Sequence, residues 1–298
     1  MSSAMFVDDD ARGRMATWFE TFRSTLPFPT ESRTVTTPDG PTHVLVTGPE
    51  DAPPLVCLHG ALATSAHLLP ELGALVTRYR VYAVDVVGQS VMSADRRIEV
   101  RDDSYGQWLA AVLDGLGLAT TAIFGVSWGG FVALRAAKVA PDRIDALVLL
   151  VPGGVVNGSA WAGFTTLGWP LLVYRLAPSE KRLRRLVDAM FTSYDERWCR
   201  WFGDAVLSYR MDMRIPPLTK PEELADFVAR RRPTLFLGAD DDVSFPGRAL
   251  VERAKALVPH AEIELLEGCK HCPPTDDAFR AKTASRVATF LEKARASS

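Results

Sequence analysis

Short apolar runs alternate with longer segments of helical spacing between residues 54 and 151. Such runs are too short for helices and are typical of strands that are buried on both faces of a sheet. Because helix-patterned segments separate them, the pattern predicts βαβ units in a mostly parallel, doubly wound sheet of the α/β class. The predicted strands are 54–58, 81–87, 122–126 and 146–151, and the predicted helices between them are 65–78, 105–116 and 128–140.

The alternation is interrupted between residues 153 and 232, which carry no strand pattern. Aromatic and basic residues in this stretch have the spacing of two or three amphipathic helices. Because the interruption falls between the predicted strands at 146–151 and 234–237, we expect these helices to form a cap inserted between two strands of the sheet. The pattern resumes with strands at 234–237 and 262–266 and helices at 248–257 and 276–294.

Residues 1–30 precede the sheet pattern. An acidic start and apolar residues on one face predict a helix at 9–25 that packs on the body. Two β-rich runs at 33–37 and 42–47 follow, joined by a Pro-Asp-Gly-Pro turn. The predicted organisation is therefore an N-terminal helical extension at 1–30, an α/β core at 31–152 and 233–298, and the cap at 153–232.

The composition limits the kind of partner. Of 298 residues, 47% are hydrophobic and 23% are charged, as is ordinary for a soluble globular protein. The net charge is −2, which favours a small-molecule partner over nucleic acid or a membrane surface. We find no leader pattern, no apolar run long enough to span a membrane and no cysteine density typical of a secreted framework. We therefore expect a cytoplasmic protein, and the sequence does not indicate its oligomeric state.

The pentapeptide at residues 125–129, Gly-Val-Ser-Trp-Gly, lies between the predicted strand at 122–126 and the predicted helix at 128–140. A serine between glycines at a sharp strand-to-helix turn is the arrangement known as a nucleophile elbow. Neighbouring Cβ atoms would clash in so tight a turn, which explains the glycines two residues before and after the serine. Ser127 is therefore the candidate nucleophile, and the alternative is a glycine-rich turn with an idle serine.

A serine hydroxyl needs a base within hydrogen-bond reach and an acid that orients the base. In an open parallel sheet, reactive groups gather beyond the carboxyl ends of the strands. Of the five histidines, His59 and His271 are the ones placed there, and the small residues after His59 suit a loop-shaping role. His271 lies in a free loop before the last predicted helix, so it is the predicted base.

Three consecutive carboxylates, Asp240, Asp241 and Asp242, follow the predicted strand at 234–237. An acid here would fix the tautomer of His271 and stabilise its imidazolium. The alternatives are a solvated acidic loop and a metal site. The nearby His, Cys and carboxylate spacing does not match a metal site, so we expect neither a metal nor another cofactor.

An attacked carbonyl also requires two hydrogen-bond donors for the negative charge that develops on its oxygen. Around a nucleophile elbow, one donor is the backbone N–H of the residue after the nucleophile, which is Trp128 here. The other comes from the loop after the first long strand, where Ala61 is the expected donor.

The candidate groups occur along the chain in the order His59-Gly60, Ser127, an aspartate and His271. This order resembles that of the α/β-hydrolase fold superfamily. The resemblance covers about residues 33–290. It implies an α/β fold in which each reactive residue follows a strand. The helices inserted between strands six and seven are similar to the family's lid.

Three shorter motifs carry the same resemblance. Residues 85–90 (Asp-Val-Val-Gly-Gln-Ser) are similar to the family's D-x-x-G-x-S loop, although the family often reads D-x-x-G-x-G-x-S, one glycine step longer. Residues 268–271 (Gly-Cys-Lys-His) are similar to its G-x-x-H. Residues 238–243 are similar to its G-x-x-D-x-[IV] acid loop, which implies that Asp241, rather than either neighbour, is the orienting acid.

Within this superfamily, the residue type of the nucleophile distinguishes one enzymatic activity from another. Dehalogenases and epoxide hydrolases use aspartate at the position of Ser127, so a serine implies acyl transfer from an ester, thioester or lactone. We therefore expect a serine hydrolase of the carboxylesterase type acting on a small acyl substrate, and the aromatic cap favours an apolar portion in it. Carbon–carbon bond hydrolases and cofactor-free haloperoxidases remain alternatives. A non-catalytic ligand-binding protein on the same fold is a further alternative, which the complete Ser, His and Asp set disfavours.

Two other groups of residues have plainer interpretations. Arg182, Arg184 and Arg185 could meet an acidic substrate, but charges at helical spacing are more often a solvated face. Cys269 and Cys272 flank the predicted base in a C-x-x-C pattern. Without a second pair, this pattern favours ordinary loop thiols over a redox or zinc site.

Overall fold

The computed structural model describes residues 4–210 and 214–296 of the chain. The parts of the predicted segments at 1–3, 211–213 and 297–298 lie outside the described residues. The described strands are β1 (Glu31–Thr37), β2 (Gly40–Thr47), β3 (Pro54–Leu58), β4 (Arg80–Val84), β5 (Thr121–Val126), β6 (Ile144–Leu150), β7 (Thr234–Ala239) and β8 (Glu262–Leu266).

Helices connect the strands and precede and follow the sheet. No helix of the described ranges is long and apolar enough to cross a membrane. The helices are α1 (Asp9–Arg23), α2 (Ser65–Leu68), α3 (Ser104–Gly115), α4 (Trp128–Val139), α5 (Ala160–Gly163), α6 (Trp169–Leu176), α7 (Glu180–Met190), α8 (Glu196–Ser208), α9 (Ala225–Ala229), α10 (Gly247–Leu257) and α11 (Asp277–Ala296). Turns of 3₁₀ helix lie at Leu69–Leu75, Pro141–Arg143 and Pro221–Leu224, and a π-helical turn lies at Phe164–Gly168.

The strands form one sheet in the order β1-β2-β4-β3-β5-β6-β7-β8. β2 pairs antiparallel with β1 and β4, and the remaining pairs are parallel. The predicted α/β class and mostly parallel sheet are therefore confirmed. β5 lies between β3 and β6, with Gly125 beside Leu58 and Val126 beside Leu150. The carboxyl ends of these three strands consequently meet at one edge of the sheet.

Side chains alternate between the two faces along the central strands. On β3, Leu55 and Cys57 belong to the core that α1, α8 and α11 cover. Val56 and Leu58 belong to the core that α3, α4 and α10 cover, and all four side chains are fully buried. Burial on both faces explains why the central strands are continuous apolar runs.

Two predicted elements differ from the structure by more than two residues at their carboxyl ends. β4 ends at Val84, before its predicted end at 87, because the chain turns at Val86, whose carbonyl accepts two backbone N–H groups from the same loop. The predicted helix at 65–78 consists of α2 followed by a 3₁₀ turn. Pro70 explains the change, because proline has no N–H to donate to the carbonyl four residues earlier.

The helices between β6 and β7 pack on the N-terminal helix through aromatic rings. Phe22 of α1 lies 5.2 Å from Trp198 and 6.5 Å from Trp201 of α8, measured between ring centroids. His67 of α2 lies 4.0 Å from Phe22 and 4.3 Å from Trp201 in the same cluster. Helix α1 is therefore packed on the body of the protein, as its amphipathic pattern indicates.

The buried position of His67 makes the stability of the fold pH-dependent. Burial lowers the pKa of His67 well below its ordinary value. As the pH falls below about 6.5, the unfolded chain takes up a proton that the folded protein does not. The free energy of unfolding then falls, by at most about 1.4 kcal/mol per pH unit for this one group.

We expect urea unfolding at pH 7 and pH 5 to show a smaller loss of stability in His67→Gln than in the wild-type protein. His260→Gln, which alters a partly exposed ring, is the matched control and should keep the wild-type loss. An equal loss in the wild-type and His67→Gln proteins would contradict the assignment.

Candidate active site

Ser127 lies between the last residue of β5 and the first residue of α4. Its backbone has φ 51° and ψ −110°, a region of positive φ that residues with side chains rarely adopt. Its N–H donates to the Leu150 carbonyl at 2.9 Å, and its own carbonyl accepts the Gly153 N–H at 2.9 Å. β6 and the loop after it therefore hold the sharp turn that the pentapeptide predicts.

The glycines around Ser127 are required by close approach of the backbone. A Cβ on Gly125 would lie 2.7 Å from the carbonyl oxygen of Gly129. A Cβ on Gly129 would lie 2.2 Å from the carbonyl oxygen of Leu58, at the end of β3. Neither position has room for a side chain, so the glycines allow α4 to pack directly against β3 and β5.

The predicted base and nucleophile meet in the structure. His271 lies in the loop between β8 and α11, and its Nε2 is 2.9 Å from Ser127 Oγ. The ring of Phe245 packs edge-on against the imidazole at a centroid distance of 5.2 Å. The His271 side chain is 11% exposed, so it is shielded from bulk water but not sealed from it.

The carboxylate that contacts His271 belongs to Asp242, whose Oδ2 lies 2.7 Å from His271 Nδ1. The prediction that Asp241 fills this position is wrong, because Asp241 is exposed and Asp242 is buried. Backbone pairing explains the difference. The N–H groups of Asp240 and Asp241 donate to the carbonyls of Leu266 and Cys269 at 3.2 and 2.9 Å, which extends the pairing of β7 with β8 beyond the ends of both strands. Asp242 is therefore the first carboxylate that turns toward the histidine.

The surroundings of Asp242 fix the tautomer of His271. Burial acts to raise the pKa of the Asp242 carboxyl, but the charge and hydrogen bond of His271 and the N–H groups of Phe245 and Ser244 outweigh it and lower the pKa. Those N–H groups donate to Oδ1 at 3.0 and 2.7 Å. Because a carboxylate only accepts, His271 carries its proton on Nδ1, and Nε2 is left to accept the Ser127 hydroxyl.

The two predicted oxyanion donors lie in the segments next to Ser127. Trp128 is the first residue of α4, so its N–H has no acceptor within the helix. The loop after β3 lies against the nucleophile, since a Cβ on Gly60 would be 3.5 Å from Ser127 Cβ. Ala61 follows in this loop and is exposed. The roles of these two N–H groups stay predictions.

Buried side chains shape the loop after β3. His59 Nε2 accepts the Val86 N–H at 2.9 Å and His59 Nδ1 donates to the Gly60 carbonyl at 2.7 Å, which agrees with its expected loop-shaping role. Burial lowers the pKa of His59, which favours the neutral ring that this pattern requires. Leu62 has φ 61°, and its N–H donates to Gln89 Oε1 at 3.2 Å. No sequence signal marked Gln89, because its contact depends on the loop conformation.

A second buried carboxylate, Asp85, directly follows β4 and has no exposed surface. It accepts the Ser65 N–H at 2.8 Å and the hydroxyls of Ser65 and Ser90 at 2.6 and 2.7 Å. His43 Nδ1 donates to it at 2.7 Å. Burial acts to raise the pKa of Asp85, but the hydrogen bonds from His43 and Ser65 lower it, and the net pKa is below the ordinary value. Asp85 therefore joins the loops after β3 and β4 as a structural anion.

The described ranges contain no group of three His, Cys, Asp or Glu side chains that could hold a metal ion. The four cysteines are free thiols. Burial raises the pKa of Cys272 to about 12, so this thiol stays protonated near neutral pH and is a poor nucleophile. The C-x-x-C pattern around His271 therefore has the properties of ordinary loop thiols.

Comparison with known proteins identifies the family. Residues 53–278 match the family model of the alpha/beta hydrolase fold. The chain therefore belongs to the α/β-hydrolase fold family, as the order of its motifs implies.

Both the sequence comparison and the structure comparison match carboxylesterases from Bacillus subtilis. The carboxylesterase nap of strain 168 is 26% identical over 270 residues, covering 85% of this chain and 86% of that protein. The crystal structure of naproxen esterase (carboxylesterase NP) is similar with a TM-score of 0.79 at 25% identity, covering 95% of this chain and 98% of that one. A 2-hydroxy-6-oxononadienedioate/2-hydroxy-6-oxononatrienedioate hydrolase of Cupriavidus pinatubonensis is 30% identical over 272 residues, covering 80% of this chain and 89% of that protein. The expectation of a hydrolase of the carboxylesterase type is confirmed.

The geometry predicts that Asp242, not Asp241, orients His271 and so makes Ser127 reactive. In Asp242→Asn, the amide can still accept the N–H groups of its own loop, but its NH₂ group would favour the wrong tautomer of His271. We expect the rate constant for reaction of Ser127 with a fluorophosphonate to fall on the order of 10³-fold or more. Asp241→Asn is the matched control and should react within a few-fold of wild type. The opposite ranking of the two variants would contradict the geometry.

Proposed function

We propose that this protein cleaves a small carboxylic ester through an acyl-enzyme on Ser127. The observation that carries the proposal is the continuous hydrogen-bond chain from Ser127 Oγ to His271 Nε2, at 2.9 Å, and from His271 Nδ1 to Asp242 Oδ2, at 2.7 Å. A nucleophile, its base and an orienting acid in this geometry are what acyl transfer by serine requires.

In the first half-reaction, Ser127 Oγ forms a bond with the acyl carbon while His271 Nε2 takes the hydroxyl proton. The carbonyl π electrons move to its oxygen, and the N–H groups of Ala61 and Trp128 would hold the resulting oxyanion. Collapse of the tetrahedral intermediate breaks the bond to the alcohol oxygen, which leaves with the proton from His271. Asp242 stabilises the imidazolium while the charge is present.

In the second half-reaction, His271 removes a proton from water, and the water oxygen bonds to the acyl carbon of the acyl-enzyme. Collapse of this intermediate returns the proton to Ser127 Oγ and releases the carboxylic acid. The cycle requires no cofactor, because all four proton transfers use the same imidazole.

The helices between β6 and β7 favour a substrate that has an apolar portion. We propose that they form the cap over the site, and the loop that leads to α5 lies close to the acid. The Gly158 N–H at the end of that loop donates to the Ser244 carbonyl at 2.8 Å, two residues from Asp242. Trp161, Phe164 and Trp169 are exposed large apolar side chains that follow directly. Pockets that bind small ligands are mostly apolar with a few polar anchors, so these rings suit an apolar acyl or alcohol group.

A carbon–carbon bond hydrolase is a second candidate, because the Cupriavidus pinatubonensis relative is 30% identical over most of both chains. Thioesters and lactones belong to the first candidate, since each presents an acyl carbon to the same serine. Activity profiling over acyl chain lengths, with a lactone, a thioester and a vinylogous diketone, would rank these substrates.

Ser127→Ala removes the nucleophile and should lower kcat for p-nitrophenyl acetate and p-nitrophenyl butyrate by roughly 10⁴-fold or more. Ser285→Ala, on the exposed face of α11, is the matched control and should keep the wild-type rate. Esterase activity retained within a few-fold in Ser127→Ala would rule out the assigned nucleophile.

A further inference from the structure

The loop that carries His271 is tied to the end of α7 in the inserted segment. The Cys272 N–H donates to the Met190 carbonyl at 2.8 Å, and the Thr192 N–H donates to the Cys272 carbonyl at 2.9 Å. These bonds form a short parallel bridge between Phe191 and Cys272. The segment that follows α7 therefore pairs with the chain immediately after the base.

The hydroxyl of Thr192 adds contacts on both sides of His271. Thr192 Oγ1 accepts the Lys270 N–H at 2.9 Å and donates to the Cys272 carbonyl at 2.9 Å. One side chain thus contacts the N–H of the residue before the base and the carbonyl of the residue after it. A hydroxyl can do both because it is one donor and also an acceptor.

The other end of the same loop is held by the acid loop. The Cys269 N–H donates to Asp240 Oδ1 at 3.1 Å, and the Cys269 carbonyl accepts the Asp241 N–H at 2.9 Å. These contacts fix the chain two residues before His271. On the other side of the loop, the Met190 carbonyl accepts the N–H of the peptide that directly follows His271. The Thr192 hydroxyl contacts the next peptide outward on each side, through the Lys270 N–H and the Cys272 carbonyl.

We propose that Thr192 is a positioning residue for His271, so that the segment after α7 helps to assemble the site. The inference rests on the proposed function of Ser127, His271 and Asp242. The imidazole must hold two hydrogen bonds at once, at 2.9 Å to Ser127 and 2.7 Å to Asp242, and a small rotation of its backbone lengthens one of them. Misplacement of a reacting group by about 1 Å can cost on the order of 10²-fold in rate.

The test compares variants that lack or keep the hydroxyl. Thr192→Val preserves the shape of the side chain and removes both of its hydrogen bonds, and Thr192→Ala is a second variant without a hydroxyl. Thr192→Ser keeps the hydroxyl and loses a methyl group. Thr289→Val is the matched control, because Thr289 is exposed on α11 and its hydroxyl donates only within that helix, to the Ser285 carbonyl at 3.0 Å.

Kinetics with p-nitrophenyl butyrate give the first measurement. We expect Thr192→Val and Thr192→Ala to lower kcat about 10- to 100-fold with KM changed less than about threefold. Thr192→Ser and Thr289→Val should keep kcat within about threefold of wild type. The proposal is wrong if a hydroxyl-free variant keeps kcat within about twofold, or if Thr192→Ser is as impaired as Thr192→Val.

Proton NMR gives a measurement that does not depend on turnover. The downfield resonance of the His271 Nδ1–H group, assigned by its absence from Asp242→Asn, should be lost or shifted in the two hydroxyl-free variants and kept in Thr192→Ser. An unchanged resonance in those variants would overturn the proposal. Ser127→Ala separates the two hypotheses, because full esterase activity in that variant would refute the proposed function while the resonance still reports on Thr192.

Discussion

The site depends on one constrained turn, at Ser127. A residue with a side chain at positive φ costs about 1–3 kcal/mol, and the surrounding structure must impose it. β6 accepts the serine N–H, while Gly129 allows α4 to start directly above the end of β3. Because the helix begins at the next residue, the serine lies at the carboxyl edge of the sheet. The loops after β3, β7 and β8 converge there, so the turn determines where every other group must lie.

Two buried carboxylates lie near this edge of the sheet, and their different surroundings give them different roles. Both have a pKa lowered against the effect of burial. Asp85 accepts hydrogen bonds from several donors of the neighbouring segments, so its negative charge stabilises the contacts between them. Asp242 receives two backbone donors on Oδ1, and Oδ2 is directed at His271. The same group thus anchors a loop in one place and orients a base in the other.

Much of the fold and most of the candidate site could be predicted from the sequence. Buried parallel strands leave a continuous apolar pattern, and a tight turn leaves glycines, so the sheet and Ser127 were recognisable. His271 followed from its place after the last strand. Asp242 was missed because a motif does not show where strand pairing stops, and backbone pairing beyond β7 moved the turn by one residue. Gln89 and Thr192 left no pattern, because their contacts join loops that are distant in the chain.

The crystal structure of the protein after reaction with a fluorophosphonate would show which residue is the nucleophile and which groups hold the oxyanion. We expect a phosphonyl group bonded to Ser127 Oγ, with its oxygen about 2.7–3.1 Å from the backbone N–H groups of Ala61 and Trp128. His271 should remain between Ser127 and Asp242. A protein that does not react, a group bonded to another residue, or an oxygen that points away from both N–H groups would contradict the assigned nucleophile and oxyanion donors.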